Sequence, residues 1–243
     1  MRSFIFAKRC AKEILRDPLN VAFGLGFPSA VLLLLTTIGK NIPSDIFDVE
    51  LTTPGVAAFG LSFMTLFSAT LISRDRESAF AERLYTTPLK PLDFILGYML
   101  PLIPIAVAEA AVCFAVAIAL GQPVTVNILY AILFLLPTSV FYIALGLLCG
   151  SLLNVKQVGG ICGALLTNLT AWLSGAWFDL SLVGGAFLKI ADILPFSHAV
   201  TAARAALAGD IAKAGWHALP VTIYAVVVLA LAVLFFLRQM RRR

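Results

Sequence analysis

The 243 residues carry 18 Lys+Arg against 13 Asp+Glu, a net charge of +5, with 60% hydrophobic residues, 13% charged residues and a mean hydropathy of +0.97. A soluble domain carries about 25% charged residues, so a water-facing globular surface is excluded. Several uncharged runs exceed the ~18 residues that read as a membrane-spanning helix, and spans with short connectors leave no room in this chain for an aqueous catalytic domain. Basic residues sit beside these runs and not in an aromatic-interleaved polar patch, which argues against nucleic acid as a partner.

In chain order, residues 1–18 come first. Phe4, Ala7, Ala11 and Ile14 recur at helical spacing with Lys8, Arg9, Lys12 and Arg16 around the other face, which predicts an amphipathic helix lying in the membrane interface. Asp17-Pro18 separates it from a first span, Leu19 to Gly39, which lacks a small-residue cleavage pattern and is therefore expected to stay uncleaved. An acidic connector containing Asp45, Asp48 and Glu50 leads to a second span, Thr52 to Ser73. Residues 74–93 are polar. Phe94 to Val155 then holds a single charge, Glu109, and is cut at Gly121, Gln122 and Pro123 into a third and a fourth span.

Lys156 marks the next connector, Gln157 to Phe178 is a fifth uncharged run, and Ala214 to Leu237 is the sixth, with Pro220 at an early helical position. Between them, in residues 179–213, the apolar stretches fall short of the ~17 residues needed to cross and read as a re-entrant helical pair. The expectation is an all-α polytopic membrane protein. It has six transmembrane helices in one domain over residues 1–243, an N-terminal interfacial helix, and external re-entrant helices between spans 5 and 6.

With both termini inside, only Lys40, Lys189, Arg204 and Lys213 fall outside, and all other basic residues are cytoplasmic, as the positive-inside rule requires. Pro28, Pro101, Pro104 and Pro137 are candidate kinks. Gly146-x-x-x-Gly150 and Gly159-x-x-x-Gly163 predict a close approach of spans 4 and 5. Cys10, Cys113, Cys149 and Cys162 form no C-x-x-C pair and read as small buried side chains.

No H-E-x-x-H or G-x-S-x-G motif occurs, and Gly39-Lys40 is followed by Asn41 without the glycine spacing of a P-loop, so no catalytic residue, metal site or cofactor is assigned to this chain. Glu109 lies deep in a span, where a charge costs roughly 2.5 to 3.5 kcal/mol on insertion scales. It reads either as a proton- or cation-coupling carboxylate or as a structural carboxyl bonded to a neighbouring helix. In the loop RDRESAFAERLYTTPL, Glu77, Phe80, Ala81 and Leu84 fall at i, i+3, i+4 and i+7. That spacing describes a docking helix for a partner or a surface helix held by its arginines to anionic lipid.

The order of elements, together with ERLYTTPLKPLDFILGYMLP (Glu82 to Pro101), LPFSHAVTAARAAL (Leu194 to Leu207) and GSLLNVKQVGGICGALLTNLTAWLSG (Gly150 to Gly175), resembles the type-2 ABC exporter permeases. These are membrane subunits of the multidrug and daunorubicin-exporter kind, related to nodulation-factor exporters and more distantly to the G subfamily of ABC transporters. The resemblance covers essentially the whole chain. It implies a permease of an ATP-driven exporter in the bacterial cytoplasmic membrane that moves a small or amphipathic substrate outward by alternating access. It further implies ABC ATPase partner chains that hold the ATP and Mg, and a second permease, the same or different.

By the same resemblance, the loop at residues 74–93 is a coupling helix with Glu77, Phe80, Glu82, Arg83 and Leu84 as contacts to the ATPase. Phe59, Phe63 and Phe67 on span 2, with Leu165, Asn168 and Trp172 on span 5, would line the substrate path. The aromatics read equally as packing, and Asn168 reads as a buried amide that needs a partner. A secondary transporter driven through Glu109 is the alternative reading.

Overall fold

A computed structural model describes residues 2–18, 22–41, 47–78 and 91–241, and the described residues contain helices and no strand. Five stretches are long and apolar enough to cross a membrane: Ala22–Gly39, Val49–Glu77, Asp93–Ala119, Asn127–Leu152 and Ile211–Arg238. The chain is an all-α polytopic membrane protein.

The interfacial helix α1 (Arg2–Arg16) precedes α2 (Ala22–Gly39), which opens in wide π turns to Gly26 before Pro28 enters its regular part. The second span is two helices, α3 (Val49–Gly60) and α4 (Phe63–Glu77). At Leu61–Ser62 the ladder tightens to three-residue bonds, with Ser62 N–H donating to Phe59 O at 2.9 Å, Met64 N–H to Leu61 O at 3.0 Å and Thr65 N–H to Ser62 O at 3.1 Å. Gly60 ends α3 just before that point and Ser62 lies within it, a small-residue pair of the kind at which helices depart from a regular ladder. The third span is α5 (Pro91–Met99) and α6 (Leu102–Ala119), separated at Pro101, and the fourth is α7 (Asn127–Phe134) and α8 (Leu136–Leu152), separated just before Pro137. Both prolines act as the sequence indicates, because a ring nitrogen cannot donate to the preceding turn.

The fifth expected span, α9, runs over residues 155–173 as an α turn from Val155, π turns over Gly159–Leu166 and a final α segment from Thr167. Its Lys, Asn, Thr and Gly content keeps it out of the strongly apolar set. The short helices α10 (Gly185–Ile193) and α11 (Pro195–Leu207) meet at 77°, which accounts for a segment too broken to read as one span. Ser197 Oγ donates to Ala191 O at 2.7 Å and Tyr224 OH donates to Ile193 O at 2.9 Å, so the carbonyls exposed by the bend are satisfied. The last helix, α12 (Ile211–Arg241), begins earlier than the charge pattern suggested. Asp210 Oδ1 accepts from Lys213 N–H at 3.0 Å as its cap, and Pro220 therefore lies in the helix interior and not at its start.

Span 2 is the central element: 89% of its apolar window is buried within the chain, against 22% for the first and last spans. α4 packs on α8 and α9, and α3 packs on α2, α6 and α11. The α4–α8 seam is where Gly146 and Gly150 lie. An added Cβ at Gly146 would stand 2.5 Å from Thr65 O and 2.7 Å from Ser68 Cβ, and one at Gly150 would stand 2.7 Å from Ala69 O. The glycine pair thus brings span 4 against span 2, and not against span 5 as its position in sequence suggested. Thr65 Oγ1 and Ser68 Oγ donate across this seam to Tyr142 O and Ile143 O, at 3.1 and 3.2 Å. Gly159 and Gly160 meet nothing within 4 Å, and Gly163 makes only ordinary contact with Leu66.

The docked face of α1 is also rotated from expectation. Phe6, Ala7, Cys10 and Ile14 are buried, Phe4 is 74% exposed, and Phe6 makes edge contacts with Phe94 and Tyr98 of α5 at ring distances of 5.9 and 4.9 Å. Two aromatic partners and a small cysteine set the face, where the pattern of four apolar residues had placed it one step around the helix.

Candidate functional site

The last turn of α4 directs four consecutive charged residues at four different elements. Asp75, with a side chain only 5% exposed, accepts both guanidinium arms of Arg9, from Nη1 to Oδ2 at 2.5 Å and from Nη2 to Oδ1 at 2.7 Å. Tyr98 OH donates to Asp75 Oδ2 at 3.0 Å. The forked geometry matches a planar donor to a planar acceptor, which a lysine in place of Arg9 could not reproduce. Arg74 Nη1 donates to Asp17 Oδ2 at 3.3 Å, just past the end of α1. Arg76 donates from Nη1 to Ser151 O and from Nη2 to Leu153 O at 2.9 Å, closing the C-terminal end of α8 with a cation. Glu77 Oε1 accepts from Val155 N–H at 3.0 Å, placing an anion on the first amides of α9. Asn154 and Gln157 complete that start with reciprocal side-chain bonds to each other's backbone N–H groups, at 2.9 and 3.1 Å.

Span 2 therefore ends in a hub that ties together α1, α5, α8 and α9. Burial alone would lower the pKa of Arg9, but the bond and charge of Asp75 outweigh it and leave the value raised. Burial pushes the Cys10 thiol up to about 12, so it stays protonated while α1 is docked. Glu13 pairs with Arg9 at 2.7 Å on the more open side of the helix, and burial, partly offset by Arg9, raises its pKa.

Of the five coupling residues read from sequence, Glu77 is in this hub, while Phe80, Glu82, Arg83 and Leu84 lie outside the described residues. The sequence reading missed Arg9, Asp75, Arg76 and Tyr98. Asp75 had one available signal: an acid closing an apolar span, flanked by arginines on both sides, is an unusual expense unless it is paired.

The residues proposed for a path divide into two groups. Phe59, Phe63 and Phe67 are buried; Phe59 and Phe63 join Phe27 and Trp177 in one aromatic cluster, and Phe23, 42% exposed, extends it outward from Phe63. Leu165 and Trp172 are exposed on α9, and Asn168 is exposed as well. Its amide donates to Ala164 O at 2.8 Å within its own helix, so in this chain the residue is exposed and not the buried amide expected. The structure does not bring the two groups together within one chain.

Glu109 is fully buried on α6, and among the described residues neither of its oxygens has a hydrogen-bond partner. It sits against Gly60 at the end of α3, where an added Cβ would fall on Glu109 Oε1 and 2.8 Å from Pro28 Cγ. Gly60→Ala is expected to destabilise the protein by about 1–3 kcal/mol, the usual range for overpacking. Glu109→Ala in the same chain should recover part of that loss, and paired thermal melts in detergent measure the coupling. Additive effects would show that the carboxyl does not fill this space.

At the opposite end a cavity of 540 Å³ is lined by Asp179, Asp192, His198, Arg204, Lys213 and His217 among others. Arg204 donates from Nε to Leu51 O and from Nη2 to Gly175 O, both at 3.0 Å, fastening α11 to the start of span 2 and to the end of α9. His198 Nε2 bonds Asp192 O at 2.9 Å, so that nitrogen carries a hydrogen, and the Nδ1 atoms of His198 and His217 share a hydrogen bond at 2.9 Å. The N–H of Ser181 bonds Asp179 and holds that carboxyl below its usual range. Among the described residues no group of three His, Cys, Asp or Glu is placed to hold a metal ion. Arg204→Lys is expected to lose one of the two carbonyl bonds and about 1.5–3 kcal/mol, because an ammonium cannot span both acceptors. An unchanged melting temperature would refute the fastening role.

No curated protein matches the chain. A family model for ABC-2 type transporters matches residues 2–208, which takes in α1, the hub and the bent helical pair. The chain belongs to the ABC-2 type transporter family, as the membrane-spanning permease component whose ATPase is a separate subunit.

Proposed function

We propose that this permease exports a small or amphipathic substrate by alternating access, driven by ABC ATPase subunits that carry ATP and Mg. The observation that carries the reading is the hub at the end of α4. Residues 79–90 begin directly after it, so force applied to that loop meets a helix end bonded to α1, α5, α8 and α9 at once. Glu77, Phe80, Glu82, Arg83 and Leu84 form the coupling contact in this reading. Both termini and the hub face the cytoplasm of a bacterial cell, as the distribution of basic residues favours.

A second permease subunit covers the exposed α9 face, where Leu165, Asn168 and Trp172 project and Gly159 and Gly160 leave open space for a close helix. Phe23 and Phe27, exposed at the edge of the aromatic cluster and backed by buried Phe59 and Phe63, supply the apolar wall for cargo. Differential binding of nucleotide to the two arrangements is the only energy source required, since a ligand shifts an equilibrium only by its preference for one state.

Reconstitution with the ATPase tests the reading. Arg83→Glu is expected to abolish substrate-stimulated ATP hydrolysis while membrane insertion is retained, and a cysteine at Ser78 should be labelled only from the cytoplasmic side. Undiminished stimulation, or labelling from outside, would overturn it. Glu109→Gln separates the alternative: ATP-driven transport continues in this variant, whereas a carrier driven through Glu109 would stop.

A further inference from the structure

Beside α1 lies a groove of 820 Å³ whose walls include Ile5, Lys8, Lys12, Arg16, Pro18 and Arg74. Five cations and two acids line it, counting Arg9, Glu13 and Asp17. Arg9 is engaged by Asp75 and Glu13, and Arg74 by Asp17. Among the described residues, Lys8, Lys12 and Arg16 have no carboxylate within ion-pair distance. They are four apart, so they form one row along the helix face opposite buried Phe6, Cys10 and Ile14.

Three large apolar side chains accompany this row. Phe4 is 74%, Ile5 73% and Leu15 59% exposed. Phe4 continues the row by one more step of four, Leu15 follows its edge, and Ile5 stands inside the groove. The helix rests where two spans end, against Asp75 in the last turn of Val49–Glu77 and against Phe94 and Tyr98 at the start of Asp93–Ala119. That depth is the boundary between hydrocarbon and headgroups. A helix there with one apolar face docked on protein, apolar residues left exposed and a row of uncompensated cations meets a ligand that is anionic at one end and apolar at the other.

We infer that this groove binds the phosphate headgroup of an anionic phospholipid, with Lys8, Lys12 and Arg16 holding the phosphate and Ile5, Phe4 and Leu15 meeting the glycerol and upper acyl chains. The juxtaposition of bare cations with exposed large apolar residues selects a lipid over a free phosphate, which has no use for Ile5 or Leu15, and over an acidic protein surface. Bound lipid would press α1 against span 2, because the same helix presents Arg9 to Asp75. The inference rests on the chain's place in a membrane and not on the direction or cargo of transport, so it can fail while the proposed function stands.

The test titrates the full detergent-purified chain with palmitoyl-oleoyl phosphatidylglycerol and, separately, phosphatidylcholine, reading bound lipid by native mass spectrometry. Phosphatidylglycerol is expected to bind preferentially. The triple variant Lys8→Gln, Lys12→Gln, Arg16→Gln should weaken it on the order of 100-fold at low salt, from roughly fivefold for each cation near an anionic surface. Lys8→Arg with Lys12→Arg should bind as the parent does, and Lys189→Gln with Lys213→Gln should change nothing. If the triple variant fails to fold, Lys12→Gln alone, about fivefold weaker, supplies the reading. Equal binding of the two lipids, or a triple variant that binds like the parent, overturns the inference. Full competition by millimolar inorganic phosphate overturns it in favour of a soluble anion.

Discussion

Asp75→Asn is expected to release α1 from the bundle. The substitution removes the charge that Arg9 faces, while the guanidinium, 35% exposed, keeps the open contact with Glu13 and its place over the Phe6 ring. Breaking a well-buried ion pair from one side costs about 3–5 kcal/mol, and the partial exposure of Arg9 puts this pair at about 3. Cys10 provides the readout. It is fully buried on the docked face of α1 and its thiol is pushed up to about 12, so the parent should resist maleimide at neutral pH, and Asp75→Asn should label rapidly. Glu13→Gln serves as the control. A half-exposed pair within one helix contributes about 0–1 kcal/mol, and the raised pKa of Glu13 carries the opposite sign from a stabilising carboxylate. A carboxyl whose folded pKa exceeds its unfolded value loses stability as pH rises through that interval, so removing the charge at neutral pH should be neutral or mildly stabilising. Equal labelling of Cys10 in parent and Asp75→Asn would show that other contacts hold α1.

Gly146→Val is expected to be the most damaging single change in the spans. Even the first added carbon falls 2.5 Å from Thr65 O, which is backbone on the most buried helix and cannot swing aside. Separating α4 from α8 also stretches the bonds from Thr65 and Ser68 to Tyr142 O and Ile143 O. Overpacking of this kind costs about 1–3 kcal/mol, and the lost interhelical bonds add about 0.6 kcal/mol each. Folded yield and melting temperature should collapse for Gly146→Val and hold for Gly159→Val, whose Cβ meets nothing within 4 Å. Similar behaviour of the two variants would contradict the α4–α8 seam.

These two cases also mark what was legible in the sequence. Apolar runs gave five spans because a run without charge has few other uses, and Pro101 and Pro137 divided the third and fourth spans because proline breaks a ladder whatever surrounds it. The glycine pair was visible but its partner was not, since a small-residue face says how close a neighbour comes and not which neighbour it is. The docked face of α1 was misread because Phe6 and Cys10 outrank Phe4 and Ala11 only once Phe94 and Tyr98 are beside them. Likewise, Asp75 looked like one more charge in a polar loop until α1 supplied Arg9 from far away in sequence. The break at Leu61–Ser62 is marked only by Gly60 and Ser62, small residues that serve close packing as readily as a break, so the sequence alone does not announce it.

That break has a mechanical meaning. One extremity of span 2 is pinned at Leu51 by Arg204 and the other at Asp75 by Arg9, so a rigid rod of this length would oblige both anchored ends to move together. With the ladder interrupted at Leu61–Ser62, its two halves answer to different neighbours, α3 to α2, α6 and α11, and α4 to α8 and α9, so a displacement at one end need not be handed whole to the other.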